Sequence, residues 1–162
     1  MAVFTIKSPT AGADPRWQLL ETVAITNQTA NSTAVSYAVP VPDWATSCTF
    51  LVNVTTMGGT TPLLDFKLEG VDPNTLNTTH VWALGDWDGI TQVTTAGSVP
   101  KIAIDVGPSI AADDTGSATA NCRYGVNATL PPYIVYTYTT DGTTDDEDYA
   151  FTITVWWNGV HW

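Results

Sequence analysis

Apolar and polar residues alternate along four segments of the chain, and a fifth, residues 133–139, is rich in Tyr, Ile and Val on both faces; this period of two is the feature that most constrains its fold. In residues 47–56, for example, Cys48, Phe50, Val52 and Val54 form an apolar set, and Thr49, Asn53 and Thr55 lie on the opposite face. Successive side chains of a β-strand point to opposite faces, so such a segment can bury one face. The pattern predicts strands over residues 47–56, 63–69, 101–106, 133–139 and 149–157.

Weaker alternation predicts further strands, and no segment shows a helical period of 3.6 residues. These further strands cover residues 3–7, 19–26, 34–39, 79–84 and 91–96. Residues 57–62, which contain two glycines and a proline, predict a hairpin loop between two of the strong strands. The inward positions predict a core of Phe50, Val52, Leu64, Phe66, Leu68, Ile102, Ile104, Phe151, Ile153 and Val155.

The length of 162 residues suits one domain with a sizeable core. Many short strands separated by turn residues predict an all-β fold, an antiparallel β-sandwich of jelly-roll-like form. Residues 1–17 contain two prolines and a glycine and are predicted to form an N-terminal arm, with the sandwich over 18–162. Residues 107–129 are rich in alanine, glycine and serine and are predicted to form a long loop.

The net charge of −11, with five basic residues scattered singly, limits the classes of partner that the chain is expected to bind. Without a basic stripe it has nothing to neutralise phosphates, so neither a nucleic acid nor an anionic membrane is an expected partner. The N-terminus is too short and polar for a signal peptide, which predicts synthesis in the cytoplasm. There, Cys48 and Cys122 are expected to be buried thiols more often than a disulfide.

No catalytic pattern stands out in the sequence, and we expect a protein that is not an enzyme and has no cofactor. His80 and His161 lie in no triad-like or zinc-like spacing, and no phosphate-binding loop occurs. The acidic run at 145–148 could bind calcium, but it lacks the spacing of an EF-hand loop. A solvated turn is the favoured interpretation, and no metal site is predicted.

The seven tryptophans are the best candidates for contacts with a partner. Trp156 and Trp157 are adjacent on a predicted strand and must point to opposite faces, so one of them leaves the central core. A large aromatic side chain outside the core needs cover, which an interface provides. The candidate partner contacts are Val3, Phe4, Ile6, Trp17, Trp87, Trp156 and Trp162.

The order of turns and strands between about residues 19 and 157 resembles that of small accessory virion proteins of tailed bacteriophages, the capsid decoration or cement proteins. The resembling segments are Leu51–Thr56, then Gly59–Pro62, Leu68–Pro73, Trp82–Leu84 and Leu130–Pro132, followed by a Tyr/Val-rich strand and a last strand after an acidic turn. The resemblance carries no catalytic residues. It implies a structural protein on the outer capsid surface of the virion, bound to the major capsid protein and assembled as a homotrimer.

Two alternatives remain open at this point. The chain could be a neck, tail or head-fibre subunit of the virion. It could also be a carbohydrate-binding β-sandwich module, because exposed tryptophans stack on sugar rings. Binding to stripped capsids would favour a capsid decoration protein, and binding to a glycan array would favour the carbohydrate-binding module.

Overall fold

The computed structural model describes residues 2–7, 14–28, 33–79, 81–86, 93–108, 110, 114–115, 121–141 and 146–159. Within these residues the regular structure consists of β-strands. They are β1 (Thr5–Ile6), β2 (Trp17–Gln28), β3 (Thr33–Pro40), β4 (Ala45–Gly58), β5 (Leu63–Val71), β6 (Val81–Asp86), β7 (Lys101–Gly107), β8 (Asp114–Thr115), β9 (Cys122–Asn127), β10 (Tyr133–Asp141) and β11 (Glu147–Gly159). None of the described residues forms a helix that could span a membrane.

The strands form two sheets that pack face to face, which confirms the predicted all-β sandwich. The five-stranded sheet has the order β1-β3-β10-β5-β6, and the six-stranded sheet has the order β2-β11-β4-β7-β9-β8. Neighbouring strands are antiparallel except for two parallel pairs, β1 with β3 and β7 with β9. Strands β4 and β11 pair with each other inside the six-stranded sheet, and β10 lies at the centre of the five-stranded sheet. These three strands position the others.

The core lies between the sheets and contains all ten positions that alternation predicts for it. Trp157 is fully buried there, packs edge-on against Phe50 with ring centroids 6.3 Å apart, and donates a hydrogen bond from Nε1 to Gln18 Oε1 at 2.9 Å. This bond satisfies the indole N–H in an apolar environment. As predicted, Trp157 and Trp156 point to opposite faces of β11, and Trp157 is the one in the core.

The predicted hairpin at residues 57–62 is wrong, although the chain does turn there. Strand β4 pairs with β11 and β7 in one sheet, whereas β5 pairs with β10 and β6 in the other. The loop thus crosses the end of the sandwich. Gly59 has a φ of 101°, and a Cβ at this position would lie 2.7 Å from the Cα of Glu147. A turn between sheets and a turn within one sheet use the same residue types, so composition did not distinguish them.

Two further expectations need correction. Residues 107–129 are not one irregular loop, because β9 lies within them and pairs in parallel with β7. A strand was also predicted over residues 91–96, but in the described part of that range Val93 makes an isolated bridge to Leu64 and the chain turns at 95–97. In both places, small and polar residues dilute the alternation that identifies a strand.

A second, smaller apolar cluster lies on the outer face of the five-stranded sheet. Its buried members are Ala38, Val71 and Val135, against which Phe4 and Leu76 pack. The segment at residues 2–7 is held there because β1 pairs with β3, and the Phe4 N–H donates to the Leu76 carbonyl at 2.9 Å. Part of the predicted N-terminal arm thus covers the sandwich, while residues 8–13 lie outside the described residues.

Candidate binding surface

Strand register places five residues in a row across the outer face of the six-stranded sheet. Trp17 of β2 lies beside Trp156 of β11, which lies beside Thr49 of β4, followed by Asp105 of β7 and Gly125 of β9. Adjacent strands are about 4.8 Å apart, so the row extends over about 19 Å. The row is aromatic at the β2 end and polar at the β9 end.

The aromatic end forms a surface that we call the aromatic patch, made of Arg16, Trp17, Leu19 and Trp156. The two indole rings have centroids 5.5 Å apart and planes tilted by 58°. The Arg16 guanidinium lies 5.4 Å from the centroid of Trp156. Trp17 and Leu19 keep 40% and 39% of their surface exposed, and Trp156 is half-buried. A cation and two aromatic rings on a rigid strand pair are the composition typical of binding hot spots.

The polar end of the row opens into a pocket of about 360 Å³, which we call the polar pocket. Its side chains combine hydroxyl, carboxylate, guanidinium and amide groups. The lining residues are Ser47, Cys48, Thr49, Asp105, Ile110, Arg123, Gly125 and Asn158. The aromatic patch joins the polar pocket through one hydrogen bond, from Trp156 Nε1 to Asn158 Oδ1 at 2.7 Å.

An ion pair fixes the floor of the polar pocket. Asp105 is buried and accepts a hydrogen bond from Thr49 Oγ1 at 2.5 Å on one carboxylate oxygen and from Arg123 Nε on the other. The hydrogen bond and the charge of Asp105 raise the pKa of Arg123. Because a buried carboxylate needs a partner, this arrangement orients Asp105 and balances its formal charge with that of Arg123.

The thiol of Cys48, next to the polar pocket, has low reactivity. Cys48 points into the core, and its burial, together with the nearby Asp105 carboxylate, raises the pKa of its thiol. A thiol with a raised pKa is a poor nucleophile, since the thiolate is the reactive form. Cys48 and Cys122 are not joined by a disulfide, which agrees with the thiols favoured by the sequence.

Close packing shapes one wall of the polar pocket. A Cβ on Gly107 would lie 2.5 Å from the Ser47 Cβ and 3.1 Å from the Ile110 Cδ1. A residue with a side chain at position 107 would therefore push Ser47 or Ile110 aside. Gly125, which has no side chain, also lines the polar pocket.

The structure separates the predicted contact residues into two groups. Trp17 and Trp156 meet in the aromatic patch, whereas Val3, Phe4 and Ile6 lie on the five-stranded sheet, where Phe4 is half-buried. Trp87 and Trp162 lie outside the described residues, as do His80 and His161. Among the described residues no group of three or more His, Cys, Asp or Glu side chains could hold a metal ion.

The acidic run at 145–148 is not the uniformly solvated turn that the sequence favoured. Within its described part, Asp146 is exposed and accepts a hydrogen bond from Thr60 Oγ1 at 2.8 Å. Glu147 is fully buried and accepts a hydrogen bond from Thr61 Oγ1 at 3.3 Å. These carboxylates hold the loop between β4 and β5, so their role in the described structure is to join the two sheets.

Sequence reasoning missed the polar pocket. Asp105 is an outward position flanked by the inward Ile104 and Val106, and that polar residue on a strong strand was the available signal. Arg123 was hidden because its strand was taken as part of a loop. The pairing that brings the two together joins residues 18 positions apart, and no local pattern specifies it.

Comparisons with known proteins give little guidance. No family model matches the sequence, and no curated protein matches it. Among solved structures, the chain is similar to part of an exo-beta-agarase, at 10% identity and a TM-score of 0.44, over 99% of this chain and 25% of that one. The chain thus spans about a quarter of the length of that protein. A similarity this weak carries no argument about function.

Proposed function

We propose that the chain is a structural, non-catalytic subunit of a bacteriophage virion, a capsid decoration protein that binds the outer shell. The resemblance over residues 19–157 motivates the proposal. The observation that carries it is the aromatic patch, an exposed group of aromatic and aliphatic side chains on a rigid sheet. In this role the aromatic patch contacts the major capsid protein.

The chemistry of the aromatic patch suits a protein partner. Tryptophan and arginine are the residues most enriched among those that dominate binding energy at interfaces. Trp17 and Trp156 are held by neighbouring strands, so little conformational entropy is lost when a partner covers them. Covering about half of a large aromatic side chain contributes roughly 1–2 kcal/mol of binding free energy.

Binding of this kind stabilises a shell by mass action. A subunit that contacts neighbouring capsomers binds the assembled shell and not its separated parts. At a free concentration of 100 times the dissociation constant, each site adds about 2.7 kcal/mol to the assembled state. A trimer of this chain on a symmetry axis repeats the contact three times with one geometry, and closed symmetry is usual for identical subunits.

The test is a binding measurement on capsids of the phage that encodes the chain, stripped of their accessory proteins. The Trp17→Ala and Trp156→Ala variants are each expected to bind at least about tenfold more weakly than the wild type, or roughly 1.4 kcal/mol. Trp82→Ala is the matched control, because Trp82 is also exposed, at 47%, but lies on the five-stranded sheet. Equal loss in all three variants, or none in the first two, would contradict the proposal.

Carbohydrate binding is the second candidate function, and one observation favours it. The half-buried indole of Trp156 lies beside a pocket that offers hydroxyl, carboxylate, guanidinium and amide groups. Aromatic rings stack on the apolar faces of sugars, and such polar groups bond to sugar hydroxyls. A glycan array tests it with the same variants: binding that Trp156→Ala abolishes and Trp82→Ala preserves supports this function, and an array without hits contradicts it.

A further inference from the structure

We infer that the polar pocket is a subsite for one neutral sugar ring, with Trp156 at its rim. The inference deepens the second candidate function and rests on it. It names the residues of the subsite, the class of ligand and the absence of hydrolysis.

The charge of the polar pocket selects a neutral ligand. Asp105 and Arg123 form an ion pair, so the two formal charges among the lining side chains cancel. A sugar carrying a carboxylate or a phosphate would approach Arg123 next to the carboxylate of Asp105, and this repulsion offsets the attraction. Neutral hydroxyls meet no such penalty, because a hydroxyl both donates and accepts hydrogen bonds.

The polar groups are held in place before a ligand arrives. Thr49 Oγ1 and Arg123 Nε fix the two oxygens of Asp105. Trp156 Nε1 bonds to Asn158 Oδ1, and this contact orients the amide so that its NH₂ group points away from the indole. Groups that are already oriented lose little entropy on binding, which is how a shallow site reaches useful affinity.

Size and position agree with a single ring. The volume of about 360 Å³ lies at the lower end of the range of about 300–1,000 Å³ that is usual for small-molecule sites. Trp156 and Thr49 are cross-strand neighbours, so the indole lies one strand away from the hydroxyl that contacts Asp105. A ring that bonds to the pocket can therefore place its apolar face near the indole.

The same geometry argues for binding without cleavage. Glycoside hydrolysis uses two carboxyl groups about 5–10 Å apart that flank the scissile bond. Among the residues that line the polar pocket, Asp105 is the single carboxylate, and it is committed to Thr49 and Arg123. The group that would protonate a leaving oxygen is thus missing from this lining.

The experiment is saturation-transfer NMR with glucose, galactose, mannose and N-acetylglucosamine as probes, and glucuronate as the charged comparison. At least one neutral sugar is expected to bind with a dissociation constant on the order of 1–10 mM, about −4 kcal/mol at 1 mM. Glucuronate is expected to bind no more tightly than glucose. Arg123→Gln is expected to weaken binding at least tenfold, and its amide N–H can still donate a hydrogen bond to the buried Asp105, which favours a folded variant.

Lys67→Gln is the matched control, because Lys67 also forms a surface ion pair, with Glu69 at 3.3 Å, but on the other sheet. Its binding should equal that of the wild type. Thr49→Val is a second probe, which removes the hydroxyl that contacts Asp105 and keeps the shape of the side chain. If sugars bind and neither Arg123→Gln nor Thr49→Val weakens their binding, the location of the subsite is wrong, while carbohydrate binding by the chain is still supported. If neither the probes nor a glycan array shows binding, both fail.

Discussion

The outer faces of the two sheets differ in how their apolar side chains are covered. On the five-stranded sheet, the chain places its own residues 2–7 and the loop after β5 over the small cluster around Val135, so Phe4 and Leu76 are packed. On the six-stranded sheet, Trp17 and Leu19 stay exposed in the described structure. Trp82, on the edge strand of the five-stranded sheet, is exposed as well, but Trp17 packs against a second tryptophan, Trp156, and we therefore propose the outer face of the six-stranded sheet as the binding surface.

The largest effect on stability is expected at alkaline pH, from tyrosines that are buried between the two sheets. Tyr138 of the five-stranded sheet is buried; burial and the charge of Glu21 on the opposite sheet raise its pKa to about 12. The same causes raise the pKa of Tyr136, which also donates a hydrogen bond to Glu21 Oε2 at 3.3 Å. Stabilisation from these neutral phenols is complete below pH 10, the ordinary tyrosine value, and is lost as the pH rises towards 12.

In that window the free energy of unfolding should fall by about 1.4 kcal/mol per pH unit for each of the two tyrosines. Urea unfolding at a series of alkaline pH values measures it. Tyr138→Phe cannot ionise and should lower the slope by about one tyrosine's share. A free energy of unfolding that stays flat from pH 10 to pH 12 would show that the two sheets do not bury these phenols as described.

An intermediate effect is expected from the cover over the five-stranded sheet. Phe4→Ala removes the half-buried ring that packs on the outer cluster and should cost about 2 kcal/mol of stability. For a domain of this size, that lowers the melting temperature by about 4–8 °C. Val3→Ala is the matched control, because Val3 is 62% exposed and its loss should cost less than about 0.5 kcal/mol.

Thermal unfolding followed by circular dichroism would compare the two variants directly. A Phe4→Ala protein that melts together with Val3→Ala would mean that the segment lies on the sheet without stabilising it. The N-terminal segment would then contribute no free energy of folding, and the proposed difference between the two outer faces would not hold.

The smallest expected effect is a difference in reactivity between the two thiols. Cys48 is buried and the pKa of its thiol is raised, so it should resist alkylation by iodoacetamide in the native state. Cys122 is half-buried on β9 and should react faster. Mass spectrometry after limited labelling gives the order, and denatured protein, in which both react, serves as the control. Faster labelling of Cys48 would contradict the packing beneath the polar pocket.

Alternation predicted the central strands and the whole of the proposed core, because the spacing of apolar residues along a buried strand can be read from the sequence of that strand alone. The sequence also identified Trp17 and Trp156 as contact candidates, but not that they are neighbours. Their proximity depends on the pairing of β2 with β11, and residues 139 positions apart carry no local signal of their register.

Strand β9 shows where sequence reasoning failed. Cys122, Tyr124 and Val126 alternate with polar or small residues and pack against the core. The alanine, glycine and serine residues before them led to the prediction of a loop. With β9 unrecognised, Arg123 had no defined position, and the polar pocket could not be assembled from Asp105 alone.

The central claim is that the outer face of the six-stranded sheet is the surface that binds. A cryo-electron microscopy map of the virion to which we propose that this chain belongs tests it most directly, since the two faces of the sandwich are opposite and easily distinguished. We expect Trp17, Leu19 and Trp156 to lie against the major capsid protein, with the N-terminal segment on the far side. A map in which the aromatic patch faces solvent while the five-stranded sheet contacts the shell would contradict the account.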